Sequence, residues 1–360
     1  MKNHSRSSIR DLTALRADLL AWYRQNRRDL PWRRTLDPYR IWLSEIMLQQ
    51  TRVAVVLARY EQFLQRFPSV RKLAAARESS VLAEWSGLGY YRRARNLHAT
   101  ARVVVRDHAG EFPTTSVELN ALPGIGRYTA AAIASIAFDE PVAVVDGNVE
   151  RVISRLFGRA EVSGARMWEA AEQILCRENP GDFNQAMMEL GATVCLPAAP
   201  KCVDCPVRRF CHTRGRHSFG PPKPQQMKRE IAYALAYQSN SVLLVRRAAT
   251  QGLMPGMWEL PQISLRKSDE ELFSLRHSIT ITNYAVRVVA RSGNSRGTWV
   301  KNSRLRMLPL TGLTKKSCGE QASSKINEAR ERGRYDFVGP LIWRKESDGG
   351  IGYGNACAAI

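Results

Sequence analysis

Apolar residues recur every three or four positions through the first half of the chain, a spacing that predicts helices with one buried face. The pattern is clearest at residues 41–48, 51–57, 128–134 and 168–171. Segments rich in glycine and proline interrupt it at residues 87–89, 122–124 and 179–181, where we expect turns. The region from residue 12 to about residue 195 is therefore predicted to be mainly α-helical.

The pattern changes after residue 215. Three prolines among residues 221–224 predict a linker, and strand-like apolar segments follow it at residues 231–237, 242–245 and 284–289. The second region therefore has the character of an α+β domain. We predict a helical region at residues 1–215, a linker at 216–227, an α+β domain at 228–318, and a tail at 319–360 to which we assign no fold.

The charge of the chain indicates the kind of partner. Its 360 residues include 54 Lys and Arg against 33 Asp and Glu, a formal net charge of +21. The excess lies in both halves, with 33 basic and 22 acidic residues in 1–224 and 21 and 11 in 225–360. Such a charge favours nucleic acid first and an anionic membrane surface second. Because no apolar run approaches the roughly 20 residues that span a bilayer, and the polar start is unlike a secretory signal, we expect a cytoplasmic protein without membrane association.

Four of the seven cysteines lie within 17 residues, with the spacing C-x6-C-x2-C-x5-C. In a chain without an export signal, this clustering predicts a metal site in preference to disulfides. Zinc sites usually show two close pairs of ligands, whereas a compact loop can surround a [4Fe–4S] cubane in which each iron takes one thiolate. Spacing alone leaves zinc open. The four are Cys195, Cys202, Cys205 and Cys211, and we expect Cys176, Cys318 and Cys357 to be bystanders.

A turn with two glycines is a candidate phosphate site. Residues 122–130 (LPGIGRYTA) place Gly124 and Gly126 just before an alanine-rich helix. Backbone N–H groups in such a turn, together with the positive end of the helix, can hold a phosphate without reading sequence. An ordinary helix–helix turn is the alternative. Downstream, Asp146 precedes Gly147, so it is either a helix cap or a carboxylate directed at the bound nucleic acid.

Glu45 is the one carboxylate in the apolar segment at residues 41–48. A glutamate there is normally exposed, or caps a helix after a residue such as Ser44. Its neighbours Trp42, Ile46 and Met47 favour a partly buried acid with a raised pKa. Such a group can serve as a general acid near pH 7.

These segments resemble a superfamily of DNA-repair enzymes. The cysteine loop and residues 122–149 resemble the cluster loop and the hairpin-Gly/Pro-Asp signature of the helix-hairpin-helix DNA glycosylases. Four further segments resemble the adenine-specific mismatch glycosylases, the MutY type: residues 28–33 (RDLPWR), 42–51 (WLSEIMLQQT), 87–97 (GLGYYRRARNL) and 183–191 (FNQAMMELG). The resemblance extends over roughly residues 20–215 and implies a helical glycosylase fold with a six-helix barrel and an iron–sulfur cluster loop.

The related endonuclease III type is similar in fold and cluster, but it carries lysine where Tyr128 stands and has no counterpart of Glu45. Lysine can form a Schiff base with the sugar and cut the strand, whereas tyrosine cannot. The resemblance therefore implies removal of adenine opposite 8-oxoguanine or guanine without efficient strand cleavage. Two alternatives stay open: an endonuclease III-like lyase, which Tyr128 opposes, and a non-catalytic DNA-binding protein, which the joint presence of Glu45 and Asp146 opposes.

The resemblance also implies roles for individual residues. Glu45 would protonate adenine at N7, and Asp146, with Tyr128 and Asn148 beside it, would stabilise the oxocarbenium-like sugar. Tyr90 would act as a wedge in the duplex and Gln50 would fill the gap. The other residues implied to bind adenine or DNA are Arg28, Trp32, Arg33, Leu88, Gly124, Gly126 and Gln185, and for Trp32 ordinary core packing is the alternative. The four clustered cysteines would hold a [4Fe–4S] cluster.

The second domain resembles a Nudix-like domain at residues 252–261 and 308–316. The acidic half of a working Nudix box is missing, so we expect this domain to bind and not to hydrolyse. In the family it senses 8-oxoguanine, and the Phe-Ser-His turn that does so aligns with residues 279–281, where Thr280 keeps a hydroxyl but both flanks differ. The implied partner is duplex DNA with A·8-oxoguanine or A·G mispairs, bound by a bacterial-type monomer at the nucleoid.

Overall fold

The structure is a computed structural model. It describes residues 11–158, 164–215, 225–238, 240–248, 250–251, 254–269, 271–279, 281–291, 297–305 and 307–317. The chain divides into two compact units, Met1–Lys223 and Pro224–Ile360. This division falls inside the segment 216–227 for which a linker is predicted. Among the described residues, none of the helices combines the length and the apolar character that a bilayer crossing needs.

The described part of the first unit is helical, as the apolar spacing predicts. Its helices are α1 Leu12–Asn26, α2 Pro38–Leu48, α3 Val53–Arg66, α4 Val70–Ala74, α5 Glu78–Glu84, α6 Arg92–Asp107, α7 Ser116–Asn120, α8 Arg127–Phe138, α9 Gly147–Phe157, α10 Ala165–Ile174 and α11 Pro180–Thr193. Short 3-10 helices cover Pro31–Arg33 and Arg208–Phe210.

Local capping explains where the helices of the site begin. Asp37 accepts a hydrogen bond from the Tyr39 amide at 2.9 Å, and Pro38 occupies the first turn of α2, where a missing N–H costs nothing. Asp146 caps α9, and Gly158 ends that helix in the left-handed conformation, with φ of +65°. These caps fix the ends of the two helices that present the candidate carboxylates.

Helix α2 is surrounded by protein. Seven consecutive residues, Ile41–Met47, are buried, and the helix packs against α8, α3 and α6. Helix α11 packs against α1, α8 and α9 over a core that includes Leu19, Ile153 and Leu190. A helix that is apolar on all sides belongs in the interior. Glu45 therefore has no solvent face on α2, and the expectation that it is partly buried is exceeded.

The described residues of the second unit form two sheets. Its strands are β1 Met227–Leu235, β2 Tyr237–Gln238, β3 Ser241–Arg246, β4 Trp258–Glu259, β5 Gln262–Ile263, β6 Glu271–Ile279, β7 Thr282–Ala290 and β8 Thr298–Lys301, followed by α12 Asn302–Leu305 and α13 Gly312–Ser317. One sheet has the order β5-β1-β7-β6, and β1 runs parallel to β7. In the other, β3 pairs with β2, β4 and β8. This arrangement confirms the α+β prediction.

The predicted lesion-reading turn connects β6 to β7, because β6 ends at Ile279 and β7 begins at Thr282. Thr280 itself lies outside the described residues, as do residues 252 and 253, Cys318, Cys357 and the tail at 319–360. Lesion reading by this turn stays a prediction, and so does the Nudix-like character of the unit.

Candidate active site

Glu45 and Tyr128 meet between α2 and α8. The Tyr128 hydroxyl donates a hydrogen bond to Glu45 Oε2 at 2.7 Å and lies 3.4 Å from the Met188 sulfur. Burial and the nearby carboxylates of Glu45 and Asp146 raise the pKa of Tyr128 well above its usual value. The phenol therefore stays protonated at neutral pH and acts as the donor in this pair.

The surroundings of Glu45 favour the neutral acid. Burial raises the pKa of Glu45 to about 7; the Tyr128 hydrogen bond opposes this shift, the Asp146 charge adds to it, and the Arg33 charge opposes it. Glu45 is 6% exposed, so water stabilises its charged form little. A carboxyl group with this pKa is partly protonated near neutral pH and can donate a proton there.

Asp146 is held in place by the first turn of α9. Its Oδ1 accepts from the amides of Asn148 at 2.9 Å and Val149 at 2.8 Å, and its Oδ2 accepts from the Asn148 side chain at 2.9 Å. The carboxylate is half-buried and lies close enough to Glu45 to influence its pKa. Asp146 is thus a helix cap and also a member of the carboxylate pair, so the two readings of the sequence are compatible.

Arg151 links this cap to the cysteine loop. It donates to Asn148 Oδ1 at 2.8 Å, to the Gly191 carbonyl at 2.7 Å and to the Cys195 carbonyl at 2.7 Å. One turn further along α9, Arg155 donates to the Cys195 sulfur at 3.2 Å. Two arginines on one face of α9 therefore tie the loop to the helix that Asp146 begins.

The four clustered thiols are near neighbours. Cys195, Cys205 and Cys211 pack beside the core of the unit, and the Arg214 amide donates to the Cys211 sulfur at 3.4 Å. Burial, as the largest cause, and the charges of the other three thiols together raise the pKa of Cys205 to about 12. Among the described residues, no three His, Cys, Asp or Glu side chains form the ligand set of a single metal ion.

Both glycines are exposed in the turn between α7 and α8, in which Leu122 and Ile125 are buried. Gly124 has φ of +77°, and a Cβ there would come within 2.6 Å of Asn96. Gly126 has φ of −92° and open space around it, so its backbone conformation does not require glycine. The backbone conformation therefore requires glycine at Gly124. At Gly126, the absence of a side chain leaves the first turn of α8 accessible.

Comparison with known proteins places this geometry in a family. Residues 43–178 match the model of the HhH-GPD superfamily of base excision DNA repair proteins. An adenine DNA glycosylase of Mycobacterium tuberculosis is 42% identical over 222 residues, which cover 60% of this chain and 72% of that protein. The chain belongs to the adenine DNA glycosylase family. This membership confirms the resemblance drawn from the motifs.

The match covers a smaller share of two mammalian adenine DNA glycosylases. The rat enzyme is 37% identical over 328 residues, and the human enzyme is 45% identical over 227 residues. These matches cover 74% and 59% of the present chain but 64% and 42% of the relatives. The chain therefore spans about two thirds of the rat protein and about two fifths of the human protein.

Solved structures confirm the helical glycosylase fold of the first unit. A thermostable thymine-DNA glycosylase is 32% identical with a TM-score of 0.55, and the match covers 57% of this chain and 98% of that one. An endonuclease III–DNA covalent intermediate is 23% identical with a TM-score of 0.51, covering 58% of this chain and 98% of that one. At this identity the second likeness shows the fold alone.

Glu189 is a site residue that the sequence analysis missed. Its carboxylate is fully buried and accepts from Arg28 Nε at 2.7 Å, from Arg28 Nη2 at 2.6 Å and from Arg33 Nη2 at 2.8 Å. Burial would raise the pKa of Glu189, but these hydrogen bonds outweigh it and bring the pKa to about 2. The signal was present in the family motif 183–191, four residues after Gln185, where one acid interrupts an apolar helix.

The other predicted residues fall into two groups. Arg28 and Arg33 are joined by Glu189, whereas Trp32 is buried and packs edge-to-face on Tyr60 with ring centroids 5.3 Å apart. Gln185 is half-buried on α11.

The loop residues differ among themselves. Gln50 is exposed and Tyr90 is 44% exposed, and both have positive φ, whereas the Leu88 side chain is buried. The predicted role of Leu88 as a DNA contact stays a prediction.

Proposed function

We propose that the protein is an adenine DNA glycosylase that hydrolyses the bond between adenine and its sugar where adenine is mispaired with 8-oxoguanine or guanine. The observation that carries this proposal is the buried acid Glu45, hydrogen-bonded to Tyr128 within electrostatic reach of Asp146. Membership of the adenine DNA glycosylase family supports the same base.

The first step is protonation of the base. The proton leaves the neutral Glu45 carboxyl group for a ring nitrogen of adenine, N7 by resemblance to the family. Adenine is then a better leaving group, and the C1′–N9 bond breaks with its electron pair going to the base. Tyr128 keeps its proton and stabilises the carboxylate that Glu45 becomes, because its hydroxyl already donates to Oε2.

Departure of the base leaves a positively charged sugar. Asp146 supplies a fixed negative charge, since three N–H groups hold its two oxygens. Water then adds to C1′ and gives up a proton, which returns the acid to its starting state. The preorganised carboxylate needs no rearrangement when the charge develops, which is where electrostatic stabilisation contributes most.

The adenine must leave the base stack before it meets Glu45, at a cost of a few kcal/mol that is least at a mispair. We propose that Arg28, Arg33 and Glu189 form one polar wall of its pocket, with Trp32 and Gln185 as further lining. The buried Glu189 carboxylate holds both guanidiniums in place, so this wall presents N–H donors, which suit the acceptor nitrogens on the edge of a purine. Tyr90 and Gln50 would occupy the space left in the duplex.

We propose a monofunctional enzyme. Residues 11–215 contain 26 Arg but only two Lys, Lys72 and Lys201, and Tyr128 occupies the position at which the lyase type has its lysine. Without an amine at the sugar, no Schiff base forms and the strand is left intact.

We propose that one protein monomer binds the duplex and that both of its units contribute to the binding. The exposed turn with Gly124 and Gly126 presents the start of α8, a 12-residue helix, to a phosphate. Residues 225–360 add 21 basic against 11 acidic residues. We propose that the second unit, Nudix-like in character, inspects the base opposite adenine through the turn between β6 and β7. We propose that the enzyme acts on genomic DNA at the nucleoid.

We propose that Cys195, Cys202, Cys205 and Cys211 hold a [4Fe–4S] cluster. The donor set fits, because four thiols lie within electrostatic reach of one another and the cationic Arg155 hydrogen-bonds the Cys195 sulfur. When bound, the cluster would cross-link the loop that carries the four cysteines. Iron and sulfide analysis of the purified protein, with its visible absorbance, tests this proposal against zinc.

The test of function uses a duplex with a single A·8-oxoguanine pair under single-turnover conditions, with and without hot alkali. Cleavage of the adenine strand only after alkali supports a monofunctional glycosylase. Cleavage without alkali indicates a lyase, and no cleavage in either arm indicates a binding protein. A matched duplex with a T·8-oxoguanine pair controls for the base that is removed.

A further inference from the structure

Arg93 on α6 is buried beneath two segments that the proposed function brings to the DNA. It is 9% exposed, and its guanidinium lies 5.4 Å from the centre of the Trp85 ring and 5.5 Å from that of Tyr90. Burial lowers the pKa of Arg93 to about 10, so it stays charged at neutral pH. A buried cation of this kind needs partners to offset its desolvation.

The partners of one nitrogen lie at the end of α2. Arg93 Nη1 donates to the carbonyl oxygens of Ile46 at 2.7 Å, Met47 at 2.9 Å and Gln49 at 2.5 Å. The last carbonyls of a helix lack partners within it and carry its negative end, so a cation there stabilises the helix. Ile46 directly follows Glu45 in the chain, and the exposed Gln50 follows Gln49.

The partners of the other nitrogen lie mainly in a second segment, residues 87–91, which we call the Tyr90 loop. Arg93 Nη2 donates to the carbonyl oxygens of Leu88 at 3.0 Å and Gly89 at 3.3 Å. Both Gly89 and Tyr90 have positive φ, and Tyr90 is exposed beyond them. Tyr90 therefore has a strained backbone conformation directly after the two carbonyls that Arg93 binds.

Thr51 joins the same two segments a second time. Its hydroxyl accepts from Arg93 Nη2 at 2.9 Å and lies 3.2 Å from the Leu88 carbonyl and 3.3 Å from the Gln49 carbonyl. The planar fork of arginine can reach both sets of acceptors at once, whereas the single ammonium of lysine cannot.

We propose that Arg93, with Thr51, is a positioning residue that makes the Tyr90 loop and the end of α2 move as one body. Entry of Tyr90 into the duplex then fixes Gln50 and the turn of α2 that carries Glu45 in the same event. The inference rests on the proposed function, because it uses the DNA-facing roles of Tyr90 and Gln50. If Arg93 acts in this way, Glu45 is in position when the mispaired base enters the site.

The variant that tests it is Arg93→Lys, with Arg102→Lys as the matched control, since Arg102 is an exposed residue of the same helix. Misplacement of a catalytic group by about 1 Å can cost about 100-fold in rate. We expect Arg93→Lys to lower the single-turnover excision rate on this scale and Arg102→Lys to leave it within about twofold.

A double-mutant cycle separates positioning from simple loss of stability. Tyr90→Ala and Gln50→Ala are measured singly and together in the wild-type chain and in Arg93→Lys. In the wild-type chain, we expect the excision rate of the double variant to differ by about fivefold or more from the product of the two single effects, as is found for coupled sites. In Arg93→Lys the two effects should multiply within about twofold. Equal coupling in both backgrounds, or none in the wild-type chain, overturns the proposal.

If Arg93→Lys shows no cooperative thermal unfolding and so is not folded, the same double-mutant cycle is measured in variants of Thr51. Thr51→Val removes the bridging hydroxyl with little change in volume and should reduce the coupling, whereas Thr51→Ser keeps the hydroxyl and should retain it. The cycle is also measured on duplex affinity. If Tyr90 and Gln50 are coupled in duplex affinity but adenine is not excised, the proposed function is refuted and this inference stands. If adenine is excised but the two residues are not coupled, this inference is refuted and the proposed function stands.

Discussion

Two buried glutamates of the first unit, Glu45 on α2 and Glu189 on α11, have opposite protonation behaviour although both helices pack against α8. Glu45 has a neutral phenol as its hydrogen-bond donor and a second carboxylate nearby, and its pKa is about 7. Glu189 has two guanidiniums as donors, and its pKa is about 2. Burial is common to the two, so the charge of the partners decides which one can act as an acid.

This difference assigns the two carboxylates to separate tasks in the proposed reaction. The region around Glu45 stores a proton for the base, whereas the region around Glu189 holds a permanent negative charge between two cations. In the proposed pocket the adenine would meet Glu45, which changes its protonation, and the guanidiniums of Arg28 and Arg33, which Glu189 holds and which stay charged. Four predictions test this comparison.

The largest effect is expected for Glu45→Gln. The amide keeps an oxygen for the Tyr128 hydroxyl but has no proton to give, so excision should fall by about 10²–10⁴-fold, the usual contribution of a general acid. Single-turnover rates on the A·8-oxoguanine duplex measure the loss. Affinity for the same duplex should stay within a few fold, and excision close to the wild-type rate would refute the acid role of Glu45.

Glu189→Gln should act mainly on structure. Removing the charge leaves Arg28 and Arg33 without their counter-ion, and breaking a buried pair in this way costs about 3–5 kcal/mol. Because Arg28 is 39% exposed, we expect the lower end, about 3 kcal/mol. Thermal unfolding of the full chain measures it. Glu61→Gln, an exposed glutamate on α3, is the matched control, and equal melting temperatures for the two variants would contradict the assignment.

The comparison also predicts a pH dependence of stability. Because the folded pKa of Glu45 is about 7, above its unfolded value, its contribution favours folding at low pH and is lost as the pH rises toward 7. A shift of this size corresponds to about 3 kcal/mol. The melting temperature of Glu45→Gln relative to that of the wild-type chain should therefore be higher at pH 8 than at pH 5. A pH-independent difference would contradict the raised pKa.

The smallest effect is expected for Tyr128→Phe. The Tyr128 hydrogen bond lowers the pKa of Glu45, so its removal should raise that pKa by up to about one unit, the value of one hydrogen bond. The wild-type excision rate should fall as the pH rises above about 7, and in Tyr128→Phe this fall should move to higher pH. A pH–rate profile measures both, and a shift toward lower pH would refute the donor role of Tyr128.

The sequence was sufficient for features that depend on neighbouring residues. Glu45 stands out because its helix is apolar on every side, and Asp146 because it precedes Gly147 at a helix start. Strands β1, β3 and β7 follow from their apolar runs. By contrast, β2, β4 and β5 are two residues each, too short to leave a pattern, and they form only through pairing with β1 and β3.

Glu189 and Arg93, whose partners are distant in the chain, were not predicted as site residues. Glu189 meets Arg28 across 161 positions, and Arg93 meets the end of α2 across 44 to 47 positions. A single sequence carries no signal for such pairs, because the identity of each partner is set by the packed fold. Arg93 in particular looks like one more basic residue in a run of arginines at the start of α6.

The near-absence of lysine from residues 11–215 has a consequence for what happens after the base has gone. The product of the proposed reaction is a sugar whose ring opens to an aldehyde, and amines condense with aldehydes. Guanidinium groups stay protonated at neutral pH and do not. A region with 26 Arg and two Lys therefore offers the damaged strand few amines and can bind it without breaking it. The abasic site would be passed intact, and still shielded, to whatever enzyme cuts it next.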